Sequence, residues 1–234
     1  MGESLAGLFS RGATMRYLML ACFCFFAALI QAESNSQFRP LDLPSGGAGI
    51  GDDEEDAPET VTFYGNQYEG DGFFWCLDKS CSMEWTGSLS ILKSEFTEAV
   101  QSLTEASEFS VVAFSTGHIA WSPIPKRANA QNRIGASAWV QALQADGATC
   151  LADAAITTIN ISNLSDKDYK NILVLSDGVP TCPGPIETIA LVTGANWQRT
   201  PINTIYIGID ADGIPFMQSL AAANQGEFSQ ATGF

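Results

Sequence analysis

Phe73 to Leu77 reads F-F-W-C-L, an unbroken apolar run that stops at Asp78. A run of that length without alternation predicts a strand buried on both faces. Asn171 to Ser176 (N-I-L-V-L-S) repeats the pattern, while Phe109 to Ser115 (F-S-V-V-A-F-S), β-branched and aromatic, and Ile202 to Ile209 (I-N-T-I-Y-I-G-I) are read as further strands. Between them the spacing changes. Leu89, Leu92, Phe96, Ala99, Val100 and Leu103 recur every three or four residues, which predicts a helix over 88–103. Further helices are predicted over 134–143 (Ile134, Ala138 and Leu143 available to pack), 151–161, 186–197 and 214–223. The I-A-W-S segment at 119–122, ended by Pro123, predicts a short edge strand, and 226–231 a last short strand. Trp75, Trp121, Trp139 and Trp197 are expected in the core or between helices. Strands and helices in alternation predict an α/β domain over 71–234: a doubly wound, mostly parallel sheet flanked by helices, with one short antiparallel edge strand.

Two segments precede that domain. Tyr17 to Ile30 is uncharged and strongly apolar, follows Arg11 and Arg16, and leads into Gln31-Ala32. This has the length of a signal-peptide core and is short for a membrane span. Residues 1–32 are therefore expected to be an export leader cleaved after Ala32, with an uncleaved anchor as the alternative. Met15-Arg16 would make a conventional start, leaving 1–14 as an over-extension. Residues 33–70 combine prolines, S-G-G-A-G and the acidic D-D-E-E-D-A-P-E, a composition expected of a solvated acidic linker. Val61 to Tyr64 within it is read either as a short edge strand or as a tether.

The formal charge is −15, and hydrophobic residues make up 46% of the 234. The acids are concentrated in the linker, and no basic patch or stripe appears, which argues against nucleic acid as a partner. An anionic membrane surface would repel the mature part; membrane contact would come only through an uncleaved leader. Four of the six cysteines lie outside the leader: Cys76, Cys81, Cys150 and Cys182. After export they would meet an oxidising compartment, where pairing is favoured. None shows a C-x-x-C spacing, and the one histidine is His118, so a zinc reading is weak.

The chemistry gathers at the ends of the predicted strands. Asp78, Ser80 and Ser82 follow the first strand, Thr149 sits in the D-G-A-T turn before a helix, and Asp177 follows N-I-L-V-L-S. Loops at the carboxyl edge of an open α/β sheet converge on a crevice. Two carboxylates and three hydroxyls balance a dication with hard oxygen donors, which favours Mg²⁺ or Mn²⁺, with Ca²⁺ as the third candidate.

D-K-S-C-S-M, D-G-A-T and L-V-L-S-D-G, in that order, resemble the motifs of a von Willebrand factor type A (vWA) domain with a metal-ion-dependent adhesion site. The closing I-Y-I-G-I-D and F-M-Q-S-L-A-A-A-N-Q-G-E-F are similar to that family's last strand, helix and strand. The resemblance implies a binding module in which Asp78, Ser80, Ser82, Thr149 and Asp177 hold the metal. It further implies a protein ligand whose acidic side chain completes the coordination. Cys81 stands where the family usually has glycine, and Ala148 where glycine is commoner. Trp85 and Glu84 are candidates for the rim that meets the partner; Glu84 is also placed to cap the helix start.

Three cysteines flank these loops. A Cys150–Cys182 bridge would tie the threonine turn to the second aspartate loop; Cys81–Cys182 is the next pairing, and small buried thiols are the plain alternative, the reading given to Cys76. Two other functions compete with metal-dependent recognition in the envelope or outside the cell. One is a metal-free scaffold of the envelope. The other is a Mg²⁺-dependent phosphohydrolase, disfavoured because Ser80 occupies the second position of the D-x-D motif and no phosphate-gripping lysine loop is evident. A binding protein rather than an enzyme is expected.

Overall fold

A computed structural model describes residues 58–209 and 211–231. The leader at 1–32, its cleavage position and the linker over 33–57 lie outside the described residues. The central strand is β3 (Gly72–Asp78), every residue of which is buried. It lies between β4 (Glu108–Phe114) and β7 (Lys170–Ser176), parallel to both. Beyond β7 come β8 (Ile202–Tyr206) and β9 (Phe228–Gln230), also parallel. The outer edge of β4 carries two short antiparallel segments, β5 (His118–Ala120) and β6 (Lys126–Arg127), where one was expected. Pro123 stands between them and cannot donate to a ladder, so the edge is split.

The pleat sends alternate side chains of β3 to opposite layers. Phe73, Trp75 and Leu77 join a cluster with Leu92, Phe96 and Val100 of α2 (Ser88–Ser102) and Val140 of α3 (Ala130–Gln141). Trp75 meets Phe63, Phe96 and Phe109 edge to face, at ring separations of 6.3, 5.2 and 6.4 Å. Phe74 and Cys76 face the other cluster, with Leu151, Ala155 and Ile159 of α4 (Leu151–Ser162), Val192 of α5 (Pro185–Ala195), and Met217 and Leu220 of α6 (Ile214–Ala223). Helices on both faces of a mostly parallel sheet are the doubly wound arrangement expected. Among the described residues no helix is long and apolar enough to cross a membrane.

The structure corrects the sequence at three places. Residues 59–70, assigned to the linker, form an antiparallel hairpin of β1 (Glu59–Phe63) and β2 (Asn66–Gly70). Val61, Phe63 and Tyr68 are buried against the Trp75 layer. The Tyr64 amide donates to Glu95 on α2 (2.8 Å), and Asn171 Nδ2 donates to the Glu69 carbonyl (2.8 Å). The apolar side of this hairpin outweighs the acidity just before it. Second, α3 starts at Ala130, four residues before the predicted start at Ile134, because Asn129 accepts the Asn132 amide (2.9 Å) and caps the helix there. Its inward face is then Ala136, Ser137 and Val140, while Ile134 is 62% exposed and Ala138 also faces solvent. Third, Trp197 lies past the end of α5 and is 72% exposed, so it packs into no core.

A disulfide joins Cys150, at the N-cap of α4, to Cys182 in the loop after β7. Cys76 and Cys81 are free thiols. The bridge closes a 32-residue separation across two neighbouring crossovers.

Two outcomes are expected from unfolding experiments. Phe63→Ala should lower stability by about 3–5 kcal/mol in urea, whereas a residue of a solvated linker would change nothing. Reducing the Cys150–Cys182 bridge, or replacing both residues with serine, should cost about 3–4 kcal/mol in the chain-entropy account. Unfolding midpoints with and without dithiothreitol check this.

Candidate metal centre

Asp78 ends β3, and Asp177 follows the last residue of the adjacent strand β7, so the parallel register sets the two carboxylates side by side at the carboxyl edge. Asp78 is fully buried. Its Oδ1 accepts the Ser80 amide (2.7 Å), and its Oδ2 accepts the Ser176 hydroxyl (2.5 Å). Ser80 is the N-cap of the short helix α1 (Cys81–Trp85), with extended backbone angles. Its Oγ lies 3.1 Å from Ser82 Oγ, and Ser82 Oγ in turn donates to Asp177 Oδ1 (2.8 Å).

The threonine turn joins from the third side. Gly147 has φ +67°, and a β-carbon there would fall 2.4 Å from Thr116 Oγ1, so the turn requires glycine. The Cys81 amide donates to the Gly147 carbonyl (3.2 Å), and the Thr181 amide to the Thr149 carbonyl (2.9 Å). Thr149 is buried, and its Oγ1 would be 3.9 Å from a β-carbon built on Gly178, the residue after Asp177. Asp78, Ser80, Ser82 and Asp177 are thus joined by hydrogen bonds, and the Thr149 turn abuts the loop that carries Asp177.

The electrostatics there are unbalanced. Burial pushes the Asp78 carboxyl up to about 6, against the opposing hydrogen bonds from Ser176 and Ser80, and the neighbouring Asp177 charge adds to the rise. Burial also raises Asp177, opposed by the Ser82 hydroxyl. Lys79 lies between two of these residues in sequence but does not neutralise them. Its Nζ sits 2.5 Å from Asp146 Oδ1 and donates to Ser115 Oγ (3.2 Å). Asp146 is held below the usual carboxylate range by hydrogen bonds from Lys79 and Ser115. Among the described residues no other ion pair occurs. Two adjacent, largely buried carboxylates without a cationic partner, ringed by hydroxyl oxygens, fit a hard divalent cation well. Among the described residues no three His, Cys, Asp or Glu side chains cluster as ligands, so a metal held here would rest on two carboxylates and the hydroxyls around them.

Ser176 and the Lys79–Asp146–Ser115 group did not stand out in the sequence. Ser176 carried a readable signal, a hydroxyl at the last position of an apolar strand; the Lys79 pairing carried none, since it spans 67 positions. Glu84 and Trp85 sit exposed on α1, Trp85 at 82%. Glu84 makes no cap; Ser80 holds that position. Cys81 is half-buried and unpaired, and burial drives the Cys76 thiol up to about 12. His118 is exposed, with its Nε2 3.0 Å from Thr157 Oγ1.

Comparison with known proteins agrees with this architecture. A von Willebrand factor type A protein from Catenulispora acidiphila superimposes with a TM-score of 0.65 at 21% identity, over 71% of this chain and 40% of its own. The PilB minor pilin from Streptococcus sanguinis gives 0.56 at 16% identity, over 70% of this chain and 58% of its own. The manganese-loaded TRAP protein of Plasmodium vivax gives 0.53 at 15% identity, over 69% of each chain. This chain thus spans less than two thirds of the first two, and identities this low speak for the fold alone. Comparison with curated protein sequences gives no match. Residues 76–229 match the von Willebrand factor type A domain family, and the chain belongs to it.

Proposed function

We propose that this domain recognises a protein partner outside the cytoplasm through a divalent cation, Mg²⁺ or Mn²⁺, held by Asp78, Ser80, Ser82, Thr149 and Asp177. The observation that carries the reading is the pair of buried carboxylates joined through Ser80 and Ser82 with no cationic side chain to balance them. When bound, the ion supplies positive charge and a coordination position for an acidic side chain of the partner.

The chain's own residues do the positioning. Ser176 and the Ser80 amide fix the Asp78 carboxylate from both oxygens, so its orientation is set before any ligand arrives. Asp177 orients Ser82, and the Cys150–Cys182 bridge anchors the Thr149 turn beside the Asp177 loop. Exposed Trp85 and Glu84 stand on the helix that starts at Ser80 and would form part of the partner-facing rim. Metal and partner strengthen each other's binding by the same factor, as linkage requires. Recognition rather than catalysis is supported by Ser80 at the place where a general-acid carboxylate would be needed. Export is supported by the leader sequence and by a disulfide that persists in oxidising compartments. The manganese in the named Plasmodium protein is a further support.

Thermal unfolding tests the metal. Mg²⁺ or Mn²⁺ at about a hundred times its dissociation constant should stabilise the protein by about 2.7 kcal/mol. Asp78→Ala and Asp177→Asn should each remove that shift, Asp177→Asn with the smaller loss of basal stability because its side chain is less deeply buried. Absence of any shift with Mg²⁺, Mn²⁺ or Ca²⁺ would turn the assignment to a metal-free scaffold. Phosphatase activity dependent on Asp78 would turn it to an enzyme. Capture of a partner from envelope extract should be lost on adding chelator.

A further inference from the structure

A second cavity lies at the other end of the sheet, where the strands begin. It has a volume of about 410 Å³ and is lined by residues that include Thr193, Asn196, Trp197, Arg199, Asn224 and Gln225. Arg199 and Gln225 each precede a strand, β8 and β9, that runs parallel to β3, so the cavity is on the edge opposite Asp78. It owes nothing to the metal centre, and the inference stands apart from the function proposed above.

The wall of this cavity is held in place. Asn196 Nδ2 donates to the Thr200 carbonyl (2.8 Å) and to Asn224 Oδ1 (3.1 Å), while its Oδ1 accepts the Thr200 amide (3.1 Å). Asn224 Nδ2 donates to Thr193 Oγ1 (3.1 Å). Both asparagines are buried, so this network is rigid. Arg199 and Gln225 are held at φ +58° and +59°, a conformation that non-glycine residues adopt only when their surroundings impose it. Against this frame Trp197 projects with 72% of its surface exposed, an arrangement that costs hydration and serves no core.

Charge narrows what could occupy the space. The cavity opens between the C-terminal ends of α5 and α6, whose partial negative charge disfavours an anion. Arg199, which forms no ion pair among the described residues, disfavours a cation. No carboxylate lines the wall. What remains is a neutral ligand with many donors and acceptors and one flat C–H face. Amide and guanidinium N–H groups meet its oxygens, helix-end carbonyls meet its hydroxyls, and the indole covers its apolar face. We propose that this cavity binds a neutral saccharide, with a pyranose ring stacked on Trp197 and hydroxyl groups held by Arg199 and Gln225, which the Asn196–Asn224 wall keeps in place.

The test is a titration of the ¹⁵N-labelled protein with maltotetraose, cellotetraose, chitotetraose and, as the charged comparison, tetragalacturonate. With at least one neutral tetrasaccharide, the indole N–H resonance that is missing from Trp197→Ala should shift saturably at about millimolar concentration. Arg199→Ala should weaken that binding about tenfold, and chelator should leave it unchanged, which separates it from the metal centre. Both side chains are exposed, so circular dichroism should show the variants folded. No saturable shift with any of the neutral sugars, or binding that survives in Trp197→Ala, overturns the proposal. Binding of tetragalacturonate alone overturns the assignment of a neutral ligand.

Discussion

The molecule depends on a carboxylate placed where a fully buried strand ends. Asp78 is carried to the edge of the sheet by five residues, Phe73 to Leu77, that alternate between the helical layers on its two sides. Water cannot solvate it, so its oxygens are occupied from within by the Ser80 amide and the Ser176 hydroxyl. Neither donor carries a full charge. The loop after β3 must then bring hydroxyls inward and turn the buried Lys79 away from the carboxylates to Asp146. The parallel partner β7 must end in step, so that Asp177 arrives beside Ser82.

The sheet and the site were both largely legible in the chain. Strands buried on both faces write themselves as unbroken apolar runs, and in a parallel sheet the residues just past such runs converge whatever their separation in sequence. Asp78, Ser80, Ser82 and Asp177 could be gathered for that reason, whereas Thr149 lies between two helices and came from the D-G-A-T turn and its family resemblance. The hairpin was harder to see because the acidic stretch before it dominates the composition of the window, although Val61, Phe63 and Tyr68 are its buried side. In α3, small residues form the inward face and the larger Ile134 is turned out, so apolar size pointed to the wrong side of the helix. Lys79 and Asp146 are paired only by the fold, and no local pattern announces such a contact.

Two devices brace the domain from different directions. The hairpin covers the Trp75 layer and is stitched to distant elements by Tyr64, by Asn66, whose Nδ2 donates to Ser229 Oγ (3.2 Å), and by Glu69. The disulfide joins two crossovers at the carboxyl edge and adds nothing to that layer. One stabilises the body of the sheet through apolar burial; the other restricts the loops that carry Thr149 and Asp177. Loss of either would therefore be felt differently, the first in global stability and the second also in how well the oxygen atoms stay assembled.

The pleat of β3 carries a last consequence. Most strands are pinned because sliding by one position exposes greasy side chains and buries wet ones. β3 has no wet face, so polarity alone does not set its register, and the bulk of Phe73, Trp75 and Leu77 against that of Phe74 and Cys76 is what tells its two sides apart. Its far end adds a second stop against sliding, since a displaced Asp78 would lose both donors and be dragged among hydrocarbons. The acid that recognition would use is also the peg that keeps the middle of the sheet aligned.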